Sequence, residues 1–273
     1  MPEMVRHCIF CGHQGKLTSE HIWGDWVTKY VPRTMNKHHF ANTLIPRPGE
    51  PQPPIVRLRA GDPLSSQVPV VCGPCNSGWM SQIQNQAKPF LIPLFEGKDC
   101  ALGPEARTAV SAWIAMATMT SEHVSRDTKQ IAISQAERDW LMEKRTPPSG
   151  WRIWIRRHRK QEWPGQWVHA TFPVAPSGKK IIVDEDRCPN TQTTAAKIGE
   201  LFVFVMSSIF HDIPRVWDWN NAPRANRCLR QLWPHDDRTL IWPGVDMSDD
   251  DADTLAKAFY RYSDDLASRV GYR

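Results

Sequence analysis

Two short cysteine pairs carry the clearest chemistry in this chain. Cys8-Ile9-Phe10-Cys11 and Cys72-Gly73-Pro74-Cys75 each place two thiols on one tight loop. Two such loops can close a tetrahedral shell around Zn²⁺, with each sulfur ~2.3 Å from the ion. A redox Cys-x-x-Cys pair normally stands alone before a helix, so the second pair argues for a structural metal. Seven cysteines cannot all pair, and the N-terminus lacks the apolar core of a secretory signal. A disulfide framework is therefore not expected. The scattered Cys100, Cys188 and Cys228 read as ordinary buried thiols. Zinc ribbons commonly space their pairs by ~15–20 residues. Here residues 12–71 lie between them, so a segment is inserted between the two knuckles.

The residues beside each knuckle suggest a second centre. Glu20-His21 follows the first pair, and Asn76 directly follows the second. A neutral imidazole is a competent base near pH 7. A carboxylate and an amide oxygen are hard ligands suited to Mg²⁺ or a similar cation. Each residue also admits a plainer role. Glu20 can be a first-turn acid, His21 a packed core histidine, and Asn76 the N-cap of the helix after the knuckle.

In this order (Cys8/Cys11, Glu20-His21, Cys72/Cys75, Asn76) the chain resembles the HNH endonucleases, also called ββα-metal or His-Me finger nucleases. The resemblance covers about residues 5–95. The ending Cys75-Asn76-x-Gly78-Trp79 is similar to a zinc-knuckle subgroup of phage and bacterial proteins. It implies metal-dependent hydrolysis of DNA phosphodiester bonds. His21 would be the general base, Glu20 and Asn76 would hold a catalytic divalent cation, and the four cysteines would hold a structural zinc. It also implies strands through about Leu17–Ile22 and Pro69–Cys72 and a helix from Asn76 to Ala87, which Pro89 should end. One departure is plain. Where many members carry a middle Asn about five residues before the second knuckle, this chain has Gln67. A longer amide can still orient the base through its carbonyl oxygen. The alternative is a catalytically inactive zinc-stabilised module that binds nucleic acid or another protein.

Two basic segments bear on partners. The insertion 31–59 holds Arg33, Lys37, Arg47, Arg57 and Arg59, together with His38 and His39. The prolines from Pro46 to Pro54 predict an extended loop there, in part polyproline II, either facing DNA or simply solvated. Further on, the run from Trp151 to Lys160 alternates. On a strand, Arg152, Trp154, Arg156, His158 and Lys160 share one face, which suits phosphates and one stacking ring. An exposed strand edge kept soluble by its charges fits the same pattern.

The elements that must position these groups follow from periodicity and breakers. Pro104–His123 has a broad apolar helical stripe, and Ser134 to Glu137 matches a capping box opening a helix to about Arg145. Trp151–His158, Gln166–Phe172 and Lys179–Asp184 read as strands, and Thr191–Ile209 as a strand pair bent near Gly199. Ser248–Arg269 reads as a last helix, with three aspartates near its positive end. The expected class is α+β, with an N-terminal zinc-bound HNH-like domain over 1–100 and an α+β domain with an antiparallel sheet over 101–273. A hydrophobic content of 41% and a charged content of 23% exclude wholesale disorder. The net charge of +5 permits nucleic-acid binding without demanding it. No apolar run approaches the ~20 residues that cross a bilayer. The expectation is therefore a cytoplasmic, non-membrane protein with DNA as partner.

Overall fold

The computed structural model describes residues 7–32, 38–44, 56–59, 64, 66–124, 131–159, 167–172, 190–210 and 229–255. The class is α+β. Near the N-terminus, β1 (Leu17–His21) pairs antiparallel with β4 (Gln67–Cys72). The register shifts between Thr18 and Ser19, which pair with Val71 and Pro69, so Val70 is the extra residue of a bulge. Its carbonyl turns to the first knuckle and accepts the Ile9 N–H at 3.0 Å.

The chain then coils through one helical turn, α1 (Gly73–Cys75), and a kinked segment Asn76–Met80 bent at Gly78 into α2 (Ser81–Phe95). The expected stop at Pro89 does not occur. Pro89 and Pro93 both lie inside α2. Pro89 is exposed and so is Asn85, whose carbonyl loses its helical partner, so water can satisfy it. The buried stripe Ile83, Ala87, Leu91 and Leu94 carries the helix past both prolines.

α3 (Pro104–Ser121) is the central helix. From Val110 to Ser121 every residue is buried, because α3 packs on α2, on α4 (Gln135–Lys144) and against strands of three sheets. The capping box at Ser134 forms, with its side chain accepting from the Glu137 N–H. A short 3-10 turn after α3 carries Glu122, whose carboxylate is fully buried. One oxygen accepts the Ala132 and Ile133 N–H groups at 2.7 and 3.1 Å, and the other accepts from Arg138 of α4 at 2.8 Å. His169 stands 3.6 Å from the same carboxylate.

The main sheet has seven strands. They are β2 (His38–Leu44), β3 (Val56–Arg59), β6 (Trp151–Arg157), β7 (Trp167–Phe172), β8 (Thr191–Ile198), β9 (Leu201–Ser208) and β10 (Arg230–Trp233), in the order β10-β6-β9-β8-β7-β2-β3. All neighbours run antiparallel except β2 and β7, which are parallel. The ends of the insertion are thus strands rather than loop, while the proline run between them and the expected strand Lys179–Asp184 lie outside the described residues. The expected bend at Gly199 is a two-residue hairpin between β8 and β9. Gly199 has φ +58°, and a Cβ there would stand 2.4 Å from the Phe95 carbonyl. That carbonyl accepts the Glu200 N–H at 2.8 Å, so only glycine lets the hairpin dock on the end of α2. β5 (Cys100–Leu102) and β11 (Leu240–Trp242) form a separate antiparallel pair. The last helix begins after Ser248, whose hydroxyl accepts the Asp251 N–H at 3.2 Å. No helix among the described residues is long and apolar enough to cross a membrane. One continuous hydrophobic core runs from Cys8 to Trp242.

Candidate functional site

The four cysteines converge. The sulfurs of Cys8, Cys11, Cys72 and Cys75 all lie within 4.8 Å of one another, and Cys11 Sγ is 3.5 Å from Cys72 Sγ. A tetrahedron with 2.3 Å metal–sulfur bonds has edges of ~3.8 Å, so the cluster needs only a small contraction to hold Zn²⁺. Local backbone builds it. The Cys8 N–H donates to the His13 carbonyl and the Gly12 N–H to the Cys8 carbonyl, which folds the first knuckle. Phe10 meets the Trp79 ring edge-on at 4.8 Å, fastening that knuckle to the second. Gln135 Nε2 of α4 donates to the Phe10 carbonyl at 2.9 Å.

The thiols have unequal acidity. Burial works against the Cys8 thiolate, but N–H groups of Cys11, Cys72 and Phe10 outweigh it and bring its pKa down to about 7. Burial pushes Cys72 and Cys75 up, and neighbouring sulfurs add to the rise. Four thiolates cannot share this space without a cation. A bound divalent ion deprotonates coordinating thiols outright.

His21 ends β1 and pairs across the ribbon with Gln67 of β4. Cross-strand partners share a face, and Gln67 Nε2 sits 2.7 Å from His21 Nε2. Turning the Gln67 amide about its last bond presents Oε1 to the ring instead, as an acceptor for an imidazole N–H. Asp25, one residue past Gly24, reaches to 3.9 Å from His21 Nε2. Gly24 has φ +80°, and a Cβ there would meet Gln84 Oε1 at 2.5 Å, so this turn needs glycine. Behind it Trp23 and Trp26 pack on Trp113 of α3, and Trp26 on Phe95 of α2, with ring centres 5.9–6.3 Å apart. The segment after His21 is thereby anchored to α2 and α3.

Asn76 does not cap the helix. Its backbone is helical, and Cys72 occupies the N-cap position instead. The Asn76 side chain donates from Nδ2 to Thr18 Oγ1 at 3.2 Å, and Thr18 donates to the Val71 carbonyl. That leaves Asn76 Oδ1, a hard ligand, without a hydrogen bond among the described residues. Glu20 pairs through its backbone with Val68; its side chain lies outside the described residues.

The strand face expected to meet nucleic acid is a correction. Trp154, Arg156 and His158 are only 7%, 1% and 0% exposed. β6 is an interior strand, flanked by β9 and β10, and the start of the last helix lies over it, with Asp249 2.7 Å from His158. These side chains are core and cannot lie against phosphates. Arg152 is half-buried and donates to the Ser149 and Trp151 carbonyls, tying down the turn before the strand. Lys160 lies outside the described residues.

Sequence reasoning did not single out Thr18 as a partner of Asn76, nor Asp25 or Gln135. Asp25 follows His21 by four residues, a spacing that carried a faint signal. Gln135 carried none, because its partner lies 125 positions away. Compared with known proteins, the chain matches no family model, no curated protein and no solved structure.

Proposed function

We propose that the two knuckles, the β1–β4 ribbon and the helix that follows them form a zinc-stapled HNH-type nuclease unit that hydrolyses DNA phosphodiester bonds. The observation that carries this reading is the β1–β4 ribbon. Its two strand ends run from the cysteine cluster, and it sets His21 against Gln67 while Asn76 is fixed to Thr18 on the same frame. An antiparallel strand pair followed by a helix, with a base on the first strand and an amide ligand at the helix start, is the arrangement the resemblance implies.

In this reading His21 takes a proton from water at an imidazole nitrogen as the water attacks phosphorus. Gln67 holds the ring in position and fixes which nitrogen carries the lone pair. Glu20 and Asn76 would hold a hard divalent cation such as Mg²⁺, which when bound supplies positive charge to the developing phosphorane and the leaving oxygen. The zinc site is structural. It holds the two knuckles, and with them His21 and Asn76, in one rigid frame.

Incubation of supercoiled plasmid with the purified protein tests this. Nicking is expected with Mg²⁺ or Mn²⁺ and not with EDTA-treated buffer. If no cation supports nicking while salt-dependent DNA binding persists, the unit is an inactive binding module, with Gln67 in place of Asn as the reason.

A further inference from the structure

Arg145 is the only described non-glycine residue with a left-handed backbone, at φ 59° and ψ 23°. It closes α4 at a position where glycine is the usual choice, so its side chain is kept against a conformational cost. That side chain reaches back to the second knuckle. The guanidinium carbon sits 5.1 Å above the Trp79 ring, four residues past Cys75. Nη1 is buried and has no hydrogen-bond partner among the described residues. The Trp79 indole N–H is likewise buried, makes no well-aligned hydrogen bond among the described residues, and is directed at the Cys75 thiol. Both groups lie beside Cys75: the indole N–H acts on its sulfur, and a charge there is felt by the guanidinium.

Buried, unpaired N–H donors are costly and call for an explanation. A tetrathiolate shell around a divalent ion supplies one, because it carries net negative charge and its sulfurs accept hydrogen bonds. In the thiol form the sulfur is a weak acceptor with no charge, so the donors gain a full partner only when it is a thiolate. The opposite end of α4 is tied to the first knuckle by Gln135 and the Phe10 carbonyl. One helix thus spans both halves of the cluster.

We propose that Arg145 is the charge-compensating partner of the metal centre, donating with Trp79 to the Cys75 thiolate, so that α4 clamps the metal-loaded knuckles. This rests on the reading of the four cysteines as a metal site and does not depend on nuclease activity. The cation is a guanidinium because its fork can lie on the indole face while one nitrogen points to sulfur.

The test is zinc affinity, measured by competition with a chromophoric chelator on the full chain. Arg145→Gly is the informative variant, because glycine relaxes the left-handed backbone and preserves the helix end. Zinc binding about 10–100-fold weaker than the parent is expected, the usual effect of losing an outer-shell partner. Trp79→Phe, which keeps an aromatic face and removes the N–H, should weaken binding by a smaller factor. Unchanged affinity in Arg145→Gly, with zinc held by the parent, overturns the proposal and leaves the metal site standing. A parent that binds no zinc overturns both.

Discussion

His21 owes its surroundings to strand register. Because β1 and β4 pair His21 with Gln67, the amide meets the ring directly. Gln67→Leu removes that contact and keeps the volume. Plasmid nicking by this variant should fall about 10–100-fold, while Gln67→Asn should recover part of the loss. Equal loss in both variants would point to the strand rather than the amide. Arg156 teaches the opposite lesson about reading single residues. Its alternation on a strand was legible, but alternation does not say which face is covered, and here both are. Replacing Arg156 with Ala should therefore destabilise the chain by ~2–5 kcal/mol, the usual cost of truncating a large, fully buried side chain. The salt dependence of DNA binding should not change. Thermal unfolding and a salt titration of the same protein separate the two effects.

Among elements, the junction of α3, α4 and β7 buries a charged cluster, Glu122 with Arg138 and His169. Glu122 is desolvated, which by itself raises its pKa. His169 and Arg138 beside it prevail and hold it below the usual carboxylate range. A carboxylate whose folded pKa is depressed contributes stability above its unfolded pKa and loses it as pH falls through the folded value. His123 works in the same direction. Burial, and then the Arg138 charge, push its pKa down to about 4 from an ordinary 6.5. Folding favours the neutral ring, so its contribution is complete above pH ~6.5 and is lost as pH falls towards 4. We expect urea stability to drop by about 1–3 kcal/mol across that window, and His123→Gln to flatten the drop. A profile that keeps its full slope in the variant would remove His123 from the account. Glu122→Gln should cost ~3–5 kcal/mol, because Arg138 would lose its buried anion.

Much at this scale was legible in the sequence. The capping box at Ser134, the stripe of Ala106, Val110 and Trp113, and the β-branched run broken at Gly199 are local signals, and each marks its element. What was not legible depends on distant partners. Pro89 reads as a stop because local chemistry disfavours it, yet the buried stripe of α2 carries the helix through. The proline-rich insertion reads as a loop because nothing local announces that β2 lies parallel to β7, more than a hundred positions away. The site was half legible. The cysteines and His21 declare themselves by type and spacing. Thr18, Gln135 and Arg145 matter only through what the fold brings to them.

At the scale of the whole molecule, one core joins the cysteine cluster to the seven-stranded sheet. Cys8, Cys72 and Cys75 are buried within it. Metal removal should therefore reach beyond the knuckles. Fresh protein should carry one zinc per chain, and chelation should lower the melting temperature of the whole chain. Content below about half a zinc per chain, or normal folding of Cys72→Ser, would show that the cluster is not a metal site. On the proposed nuclease reading, the same rigidity would let His21 and Asn76, on separate segments, act on one phosphate.

The central claim is that His21 is a base held on that frame. It is tested most directly by comparing His21→Ala with the parent in plasmid nicking, at matched zinc content and matched DNA affinity. The account predicts a loss in rate on the order of 10²–10⁴-fold, with zinc and binding unchanged. A variant that nicks as fast as the parent, or one that loses zinc, binding and nicking together, would contradict it.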